Sequence, residues 1–360
     1  MDSKFTTSPN FQFSYPPLEG AGGGLNSQLN KSKVRFGVVG TNFITDWVIA
    51  GAREDSRFEL TAVCSRLDET ARQFAAKHNI PYTFTSLEAM AESPLIDAIY
   101  IASPNAFHAE QSILCMQRGK HVLCEKPLAS NASEVRRMIQ SAQDNNVVLM
   151  EAMKPTLTPG FLSVQKAIHQ IGVVRQYFSC YCQYSSRYDK LKGGIILNAF
   201  DPSLSNGAIM DIGIYTIYPM VVLFGRPKTI QATGVKLYSG VDGHGNICFS
   251  YENGLNATIL YSKIANSQLP TEIQGENGII TLDRINIISE VTLTPRNGQT
   301  ECIMPTLDHN EYYYEVAEFI DIIQSDRNES INNSLENSLI TIEIVDEVRR
   351  QLGVVFPADI

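Results

Sequence analysis

The sequence has no surplus of basic residues. Its 29 lysines and arginines are outnumbered by 38 aspartates and glutamates, which gives a net charge of -9 at pH 7. Binding to nucleic-acid phosphates or to an anionic membrane surface requires positive charge on the protein. We therefore expect neither nucleic acid nor a membrane as a partner.

Cysteine is also scarce, and the cysteines are not arranged for metal binding. The seven cysteines include no CxxC pair and no cluster with histidine, so the sequence predicts no metal site. Their odd number fits a reducing compartment, and we expect the protein to be cytoplasmic. Cys180 and Cys182 lie in a stretch with strand-like alternation, where both side chains would pack on one face as small apolar groups.

Long apolar runs are absent as well. No stretch of about 18 consecutive apolar residues occurs, which predicts a chain without a membrane-spanning helix. Residues 1–33 are rich in Ser, Asn and Gln, contain adjacent prolines and a run of glycines, and lack the apolar core of an export signal. We interpret residues 1–33 as a flexible N-terminal tail.

From residue 34 onwards, short apolar runs alternate with helical patterns. The run at residues 34–39 is typical of a strand buried on both faces, and a helical pattern follows at 43–52. Further strands are predicted at 60–64, 98–101, 121–124 and 147–150, with helices between them. Strict alternation of strand and helix predicts an α/β domain with a doubly wound parallel sheet over residues 34–151.

The pattern changes after residue 151. Residues 174–184 alternate with period two, and further strand-like runs follow over 228–293, which together predict a mainly antiparallel sheet. Two helical stretches, 312–324 and 337–353, close the chain. We therefore predict a second domain of the α+β class over residues 152–360.

The turn after the first strand has features of a phosphate-binding site. A helix follows it, and the N-terminus of that helix would offer free backbone N–H groups and a favourable dipole to a pyrophosphate. Asn42 and Thr45 stand where the GxGxxG motif has its second and third glycines, and asparagine tolerates positive φ. An ordinary strand-to-helix turn is the alternative. The residues predicted to contact a dinucleotide here are Gly40, Thr41, Asn42, Phe43 and Ile44.

The second predicted strand ends without an acidic residue. A site that prefers NAD usually places Asp or Glu there to bind the adenosine ribose hydroxyls. Here Ser65 and Arg66 follow the strand, and their hydroxyl and guanidinium suit a 2'-phosphate. We therefore predict NADP as the cofactor, with NAD as the alternative. The other interpretation of Arg66 is an exposed residue before a helix capped by Asp68.

Glu125-Lys126-Pro127, directly after the strand predicted at 121–124, is similar to the hallmark of the glucose-fructose oxidoreductase and inositol dehydrogenase (Gfo/Idh/MocA) family. The resemblance runs from about residue 34 to residue 359. It includes SPNAFH at residues 103–108, Glu151-Ala152, NGAIMDIGIY at 206–215 and RRQLGVVFP at 349–357. The resemblance implies an N-terminal Rossmann domain, a C-terminal domain whose open sheet covers the nicotinamide, and a homodimer or homotetramer.

The same resemblance implies the activity and part of the site. We expect hydride transfer between a nicotinamide cofactor and a carbonyl or hydroxyl carbon of a sugar, cyclitol or diol. The implied cofactor contacts are Ser103, Pro104, Asn105, His108, Glu125 and Lys126, although His108 could equally cap its helix. Lys154 is similar to a basic residue that relatives often carry near the active site.

Hydride transfer from a hydroxyl carbon needs a group that accepts the hydroxyl proton. Lys126 is the first candidate, because it follows a central strand at the edge where the crevice of such a sheet opens. Asp211 and Tyr215 are four residues apart on a predicted helix, so both would project from one face. Many relatives carry His at the position of Tyr215, and a phenol needs neighbouring positive charge to act as a base. Lys126 and Tyr215 both remain candidates for the acid–base group.

Two other classes of function fit the same fold. One is a regulator that binds dinucleotide without turnover, against which the retention of Lys126, Asp211 and Tyr215 argues. The other is a glycosidase that oxidises its substrate only transiently and releases the cofactor unchanged. Net formation or loss of NADPH separates the redox enzyme from both alternatives.

Overall fold

The computed structural model describes residues 33–325 and 327–360. The predicted flexible tail, residues 1–33, lies outside the described residues except for its last one. The described part of the chain contains two β-sheets and the helices packed against them.

The first sheet, sheet A, has six strands. They are β1 Val34–Val39, β2 Phe58–Cys64, β3 Tyr82–Phe84, β4 Ala98–Ile101, β5 His121–Glu125 and β6 Leu149–Ala152. Their order is β3-β2-β1-β4-β5-β6, and every neighbouring pair is parallel. The predicted doubly wound parallel sheet is therefore confirmed.

Helices connect the strands of sheet A. They are α1 Phe43–Ala52, α2 Asp68–His78, α3 Leu87–Glu92, α4 His108–Gln117 and α5 Ala132–Asp144. Alternate residues of β4 enter two different apolar clusters: Ile99 lies in the cluster that contains Met116 of α4, and Tyr100 lies in the cluster that contains Val48 of α1. Both faces of the sheet are thus covered, which explains the continuous apolar runs of its strands.

The second sheet, sheet B, has eight strands. They are β7 Val174–Cys182, β8 Thr229–Lys236, β9 Asp242–Ser250, β10 Asn256–Ser262, β11 Thr271–Gly275, β12 Gly278–Leu282, β13 Val291–Pro295 and β14 Glu301–Cys302. The order is β14-β13-β12-β11-β7-β10-β9-β8, with β7 and β10 parallel and the other pairs antiparallel. The mainly antiparallel sheet predicted for this part of the chain is confirmed.

Further helices accompany sheet B. They are α6 Pro159–Ala167, α7 Tyr188–Lys192, α8 Ile214–Phe224, α9 Tyr313–Ile323 and α10 Leu335–Leu352. Tyr177 of β7 donates a hydrogen bond to the carbonyl oxygen of Thr216 at 3.1 Å, so one face of β7 is turned towards α8. Residues 312–324 and 337–353, predicted as helices, agree with α9 and α10 to within two residues.

Some boundaries differ from the prediction. The last strand of sheet A begins at Leu149, not at residue 147, and follows a turn in which Asn146 has a positive φ of 49°. The short β3 and α3 were not predicted, because exposed residues give so short a strand no apolar pattern. The predicted domain boundary between residues 151 and 152 falls at the end of β6 and stays a prediction.

The sequence predicts no membrane-spanning helix, but one helical segment of the described chain is apolar and long enough to be a candidate. Residues 202–224 contain an 18-residue window with a mean hydropathy of 1.6, and this segment is long and apolar enough to span a bilayer by length and composition alone. Asp211 interrupts its apolar run, which is why a search for uninterrupted apolar residues misses it. Of its most apolar window, 72% is buried within the protein, as in the core helix of a globular domain.

Candidate active site

Three loops at the carboxyl edge of sheet A carry the predicted site residues. Gly40 follows β1, Ser103 lies just after β4, and Lys126 follows β5. Since β1, β4 and β5 are neighbours in the sheet, these loops lie side by side. The carboxyl edge is also where doubly wound sheets bind their ligands.

The turn after β1 is fixed by Gly40 and Asn42. Gly40 has a positive φ of 100°, and a Cβ atom there would lie 2.6 Å from the carbonyl oxygen of Ala102, so glycine is required. Asn42 has an extended conformation with φ -91°, so the turn makes no use of the tolerance of asparagine for positive φ. Its side chain instead caps α1 by accepting from the amide of Ile44 at 2.9 Å, and it donates to the carbonyl oxygen of Ala102 at 2.9 Å.

The same cap decides which amides can bind an anion. The amide of Ile44 is occupied by Asn42, which removes it from the predicted pyrophosphate contacts. Among the described residues, the amides of Thr41 and Asn42 have no hydrogen-bond acceptor, and the amide of Phe43 is the first of α1. These three N–H groups are therefore available to a pyrophosphate at the positive end of the helix dipole.

Arg66 is free to bind a phosphate. It is exposed, and it has no hydrogen bond or ion pair within the described part of the chain. The residue that caps α2 is Leu67, which makes no side-chain cap, and Asp68 pairs with Arg72 at 2.8 Å. The alternative in which Asp68 caps this helix is therefore wrong. The unpartnered guanidinium and the free amides of the β1 turn together fit a dinucleotide that carries a 2'-phosphate.

The polar side chains of the loop after β4 form hydrogen bonds to other parts of the protein. The side-chain amide of Asn105 donates to the carbonyl oxygen of Ser205 at 2.9 Å, and the Ser103 hydroxyl donates to Gln111 at 2.7 Å. Pro104 precedes the short 3-10 turn Asn105–Phe107. Asn105 thus ties this loop to the segment that leads to Asp211.

His108 is fully buried, contrary to its predicted role as a polar contact of the cofactor. Its Nδ1 lies 2.8 Å from the carbonyl oxygen of Pro127, and its Nε2 lies 2.8 Å from that of Ser103. Both ring nitrogens are thus occupied by backbone, so His108 holds the two loops after β4 and β5 together. It also does not cap α4, whose N-terminus has no side-chain cap.

Glu125 is buried beneath the site. Its carboxylate accepts a hydrogen bond of 2.5 Å from the hydroxyl of Tyr100, and burial raises its pKa above the usual value. Glu125 therefore supports the loop from below, and the described contacts do not place it at the surface of the crevice.

Lys126 is brought together with Asp211 and Tyr215, as predicted. The Lys126 ammonium donates to the backbone oxygen of Asp211 at 2.8 Å and to its Oδ1 at 3.1 Å. The same ammonium lies 4.7 Å from the centre of the Tyr215 ring. Contact with the ring face is a cation–π interaction, so the phenol reaches Lys126 through its ring and not through its hydroxyl.

Asp211 and Tyr215 lie on either side of a change in helix type. Asp211 belongs to a π-helical turn, Ile209–Gly213, and Tyr215 lies in the first turn of α8. The single helix predicted here is thus irregular, which is common where side chains are aimed at a site. Burial, reinforced by the negative charge of Glu125, raises the pKa of Tyr215 well above its usual value. The phenol therefore keeps its proton and is suited to donate a hydrogen bond.

Lys263 was missed by the sequence analysis. It follows β10 directly, its side chain is 4% exposed, and its ammonium forms an ion pair with Oδ2 of Asp211. Burial raises the pKa of Asp211, but Lys263 and Lys126 outweigh burial, so the pKa lies well below its usual value. A lysine after a strand carries no sequence motif, and only the pairing of β10 with β7 reveals its position.

Lys154 lies at a different part of the site. Its buried ammonium pairs with Glu311 at 2.5 Å and lies 4.8 Å from the centre of the Tyr312 ring. It therefore connects the segment after β6 with the start of α9. Within residues 33–325 and 327–360, no group of three or more metal-ligating His, Cys, Asp or Glu residues occurs.

Comparison with known proteins agrees with this geometry. Residues 34–153 match the Gfo/Idh/MocA oxidoreductase family model with an NAD-binding Rossmann fold, and residues 161–281 match the Gfo/Idh/MocA C-terminal domain. The chain is 50% identical over 326 residues to scyllo-inositol 2-dehydrogenase (NADP(+)) IolU of Bacillus subtilis, covering 91% of this chain and 99% of that protein. It is 32% identical over 317 residues to trans-1,2-dihydrobenzene-1,2-diol dehydrogenase of Danio rerio, covering 84% and 91% of the two chains.

Solved structures show the same fold at lower identity. Aldose-aldose oxidoreductase from Caulobacter crescentus is 18% identical, with a TM-score of 0.81 over 89% of this chain and 98% of that one. A levoglucosan dehydrogenase is 19% identical, with a TM-score of 0.77 over 89% and 98%. From the two matched family models and the close relative, the chain belongs to the Gfo/Idh/MocA oxidoreductase family.

Proposed function

We propose that the chain is an NADP-dependent dehydrogenase that acts on a secondary hydroxyl of an inositol or a similar polyhydroxylated ring. The observation that carries the proposal is the Lys126 ammonium, held by Asp211 and resting on the Tyr215 ring beside a turn with free amides. The 50% identity to an enzyme named for scyllo-inositol and NADP(+) supports this choice of substrate and cofactor.

The roles of the protein groups follow from their contacts. A bound nicotinamide supplies the hydride acceptor for oxidation and the hydride donor for reduction. Lys126 moves the proton at the reacting oxygen: as the ammonium it gives a proton to the carbonyl oxygen in reduction, and as the neutral amine it accepts the alcohol proton in oxidation. Asp211 fixes the position of Lys126 through two hydrogen bonds. Tyr215, which keeps its proton, donates a hydrogen bond to a substrate oxygen.

Cofactor binding uses the first two loops of sheet A. The free amides of Thr41, Asn42 and Phe43 would hold the pyrophosphate, and Arg66 would hold the 2'-phosphate. NADP is favoured because the end of β2 offers a cation and no carboxylate to the ribose.

The experiment measures NADPH formation when the purified protein is mixed with NADP⁺ and scyllo-inositol, myo-inositol, glucose or a trans-dihydrodiol. We expect net formation of NADPH with at least one cyclitol. Lys126→Met lowers the rate by about 100- to 10,000-fold and leaves NADPH binding within a few-fold, because the lost group acts on the proton. Lys228→Met serves as the control, since Lys228 is exposed just before β8 and pairs with Glu252.

Two outcomes would contradict the proposal. Retention of most of the rate by Lys126→Met would remove Lys126 from proton transfer. Binding of NADPH without net turnover of any polyol would favour the regulator or the glycosidase.

We also propose that copies of the chain associate through the open face of sheet B and that the protein is cytoplasmic. Tyr177 points towards α8, so its neighbour Phe178 lies on the opposite face of β7, where Leu260 of β10 is also only partly buried. Apolar side chains on such a face support a homodimer or homotetramer. All seven cysteines are free, in keeping with a reducing compartment.

A further inference from the structure

Asp211 is bound by two lysines, and the reaction as proposed uses only one of them. Lys126 binds the backbone oxygen and Oδ1 of Asp211, whereas Lys263 binds Oδ2. The lysine side chains are 12% and 4% exposed. An ammonium buried this deeply is costly unless it is paired, so the position of Lys263 requires a strong counter-charge.

The surroundings of Lys263 identify that counter-charge as Asp211. Within the described part of the chain, the Lys263 ammonium has Asp211 as its only ion-pair partner, and its other contact is the ring of Phe200, 5.3 Å away. Its backbone is fixed on both sides, because its amide donates to Gly243 at 2.8 Å and its carbonyl accepts from Ser185 at 2.9 Å. Lys263 is thus held rigidly against one oxygen of the carboxylate.

We propose that Lys263 is a positioning residue that holds the Asp211 carboxylate ionised and oriented, so that its other oxygen and its backbone carbonyl keep Lys126 in place for proton transfer. The inference rests on the proposed function, because it assigns Lys263 a part in the work of Lys126. Lys263 itself acts only through Asp211.

The groups that face Asp211 determine how it responds to pH. They are Lys126 after β5, Lys263 after β10, Tyr181 on β7 and Tyr215 in the first turn of α8. Of these four groups, only the two lysines are positively charged. Burial raises the pKa of Asp211 and the two lysines lower it. Removing Lys263 therefore moves this pKa upwards, and the carboxylate is neutralised at a pH where the unmodified protein keeps it charged.

The first test compares pH profiles of kcat/KM for the wild type, Lys263→Met and Lys263→Arg. We expect Lys263→Met to lose about 10- to 100-fold in kcat, because a carboxylate that is no longer fixed lets Lys126 move. We also expect it to show a new loss of activity on the acid side of the profile. Lys263→Arg keeps the positive charge and restores the wild-type shape, whereas NADPH binding stays within a few-fold in both variants.

The second test separates positioning from simple loss of stability. Thermal unfolding of the cofactor-free protein is measured for Lys263→Met, Asp211→Asn and the double variant. Lys263→Met lowers the unfolding temperature of the wild type, because it removes one partner of a buried ion pair. The double variant should unfold at the same temperature as Asp211→Asn or at a higher one. In that background Lys263→Met removes a buried ammonium that has already lost its counter-charge.

The outcomes distinguish the two proposals. If the wild type oxidises no polyol, the proposed function fails, while the thermal cycle still tests the Lys263–Asp211 coupling. If the wild type is active and Lys263→Met keeps its rate and an unchanged pH profile, the positioning role is wrong. The positioning role is also wrong if Lys263→Met changes the unfolding temperature equally with and without the Asp211 carboxylate.

Discussion

At the scale of the single residue, Arg66 is the side chain on which we expect the choice of cofactor to depend most. Its guanidinium is exposed and unpartnered within the described residues, and no carboxylate follows β2 to bind ribose hydroxyls. A charge-assisted hydrogen bond to a phosphate contributes about 1.5–3 kcal/mol. The preference for NADPH over NADH should therefore depend mainly on this side chain.

Arg66→Ala is expected to weaken NADPH binding by about 10- to 100-fold and to leave NADH binding nearly unchanged. Calorimetric titration with each dinucleotide measures both affinities. Arg72→Ala is the matched control, because the guanidinium of Arg72 is already paired with Asp68 at 2.8 Å. An equal loss for NADPH and NADH would remove Arg66 from the phosphate site.

Single residues also show how far sequence reasoning reaches. Lys126 was predictable because the motif after β5 and the edge of a parallel sheet both point to it. The role of His108 was not predictable, because the sequence does not show whether the ring of a histidine that begins a helix faces solvent or two buried carbonyl oxygens. Lys263 was not predictable either, because its partner Asp211 lies 52 residues away.

At the level of elements, Glu151 connects two strands of the Rossmann sheet. It lies on β6, is 1% exposed, and accepts a hydrogen bond of 3.0 Å from the amide of Leu128 in the loop after β5. Burial raises the pKa of Glu151 to about 7. Because this pKa lies above the unfolded value, the carboxyl group stabilises the fold at low pH, and that contribution is lost as the pH rises towards 7.

Glu151→Gln should remove this pH dependence, because an amide accepts the same hydrogen bond and does not ionise. The stability of the variant relative to the wild type is expected to increase by up to roughly 3 kcal/mol between about pH 4.5 and pH 7. Denaturant unfolding at a series of pH values measures the difference. A constant difference across this range would show that Glu151 does not titrate as inferred.

Elements with a long, regular pattern were predictable, and irregular ones were not. The strands of sheet A other than β3 and helices α9 and α10 follow apolar periodicity, so the sequence places them within about two residues. The π-helical turn at Ile209–Gly213 has no such pattern, because it depends on the amides of Ala208 and Ile209 binding the buried carboxyl of Asp242. That contact exists only once β9 is in place.

At the scale of the whole molecule, the open face of sheet B is the proposed site of association. Phe178→Glu would place a charge in the middle of that face and should convert an oligomer into a monomer, because burying an unpaired carboxylate in an interface is costly. Size-exclusion chromatography with light scattering measures the mass.

Ile331→Glu is the control for this change, since Ile331 is 80% exposed in a loop outside sheet B. An unchanged mass for Phe178→Glu, or a monomeric wild type, would contradict the proposed interface.

The proposed reaction is direct hydride transfer between a ring carbon of a polyol and the cofactor, with Lys126 moving the proton. Its most direct test uses scyllo-inositol deuterated at its ring carbons, mixed with NADP⁺ and the purified protein, and the reduced cofactor is then analysed by mass spectrometry. Direct transfer gives NADPH that carries one deuterium, formed in step with the ketone and nearly absent with Lys126→Met. Reduced cofactor without deuterium, or deuterium lost to water with no net NADPH, would contradict it.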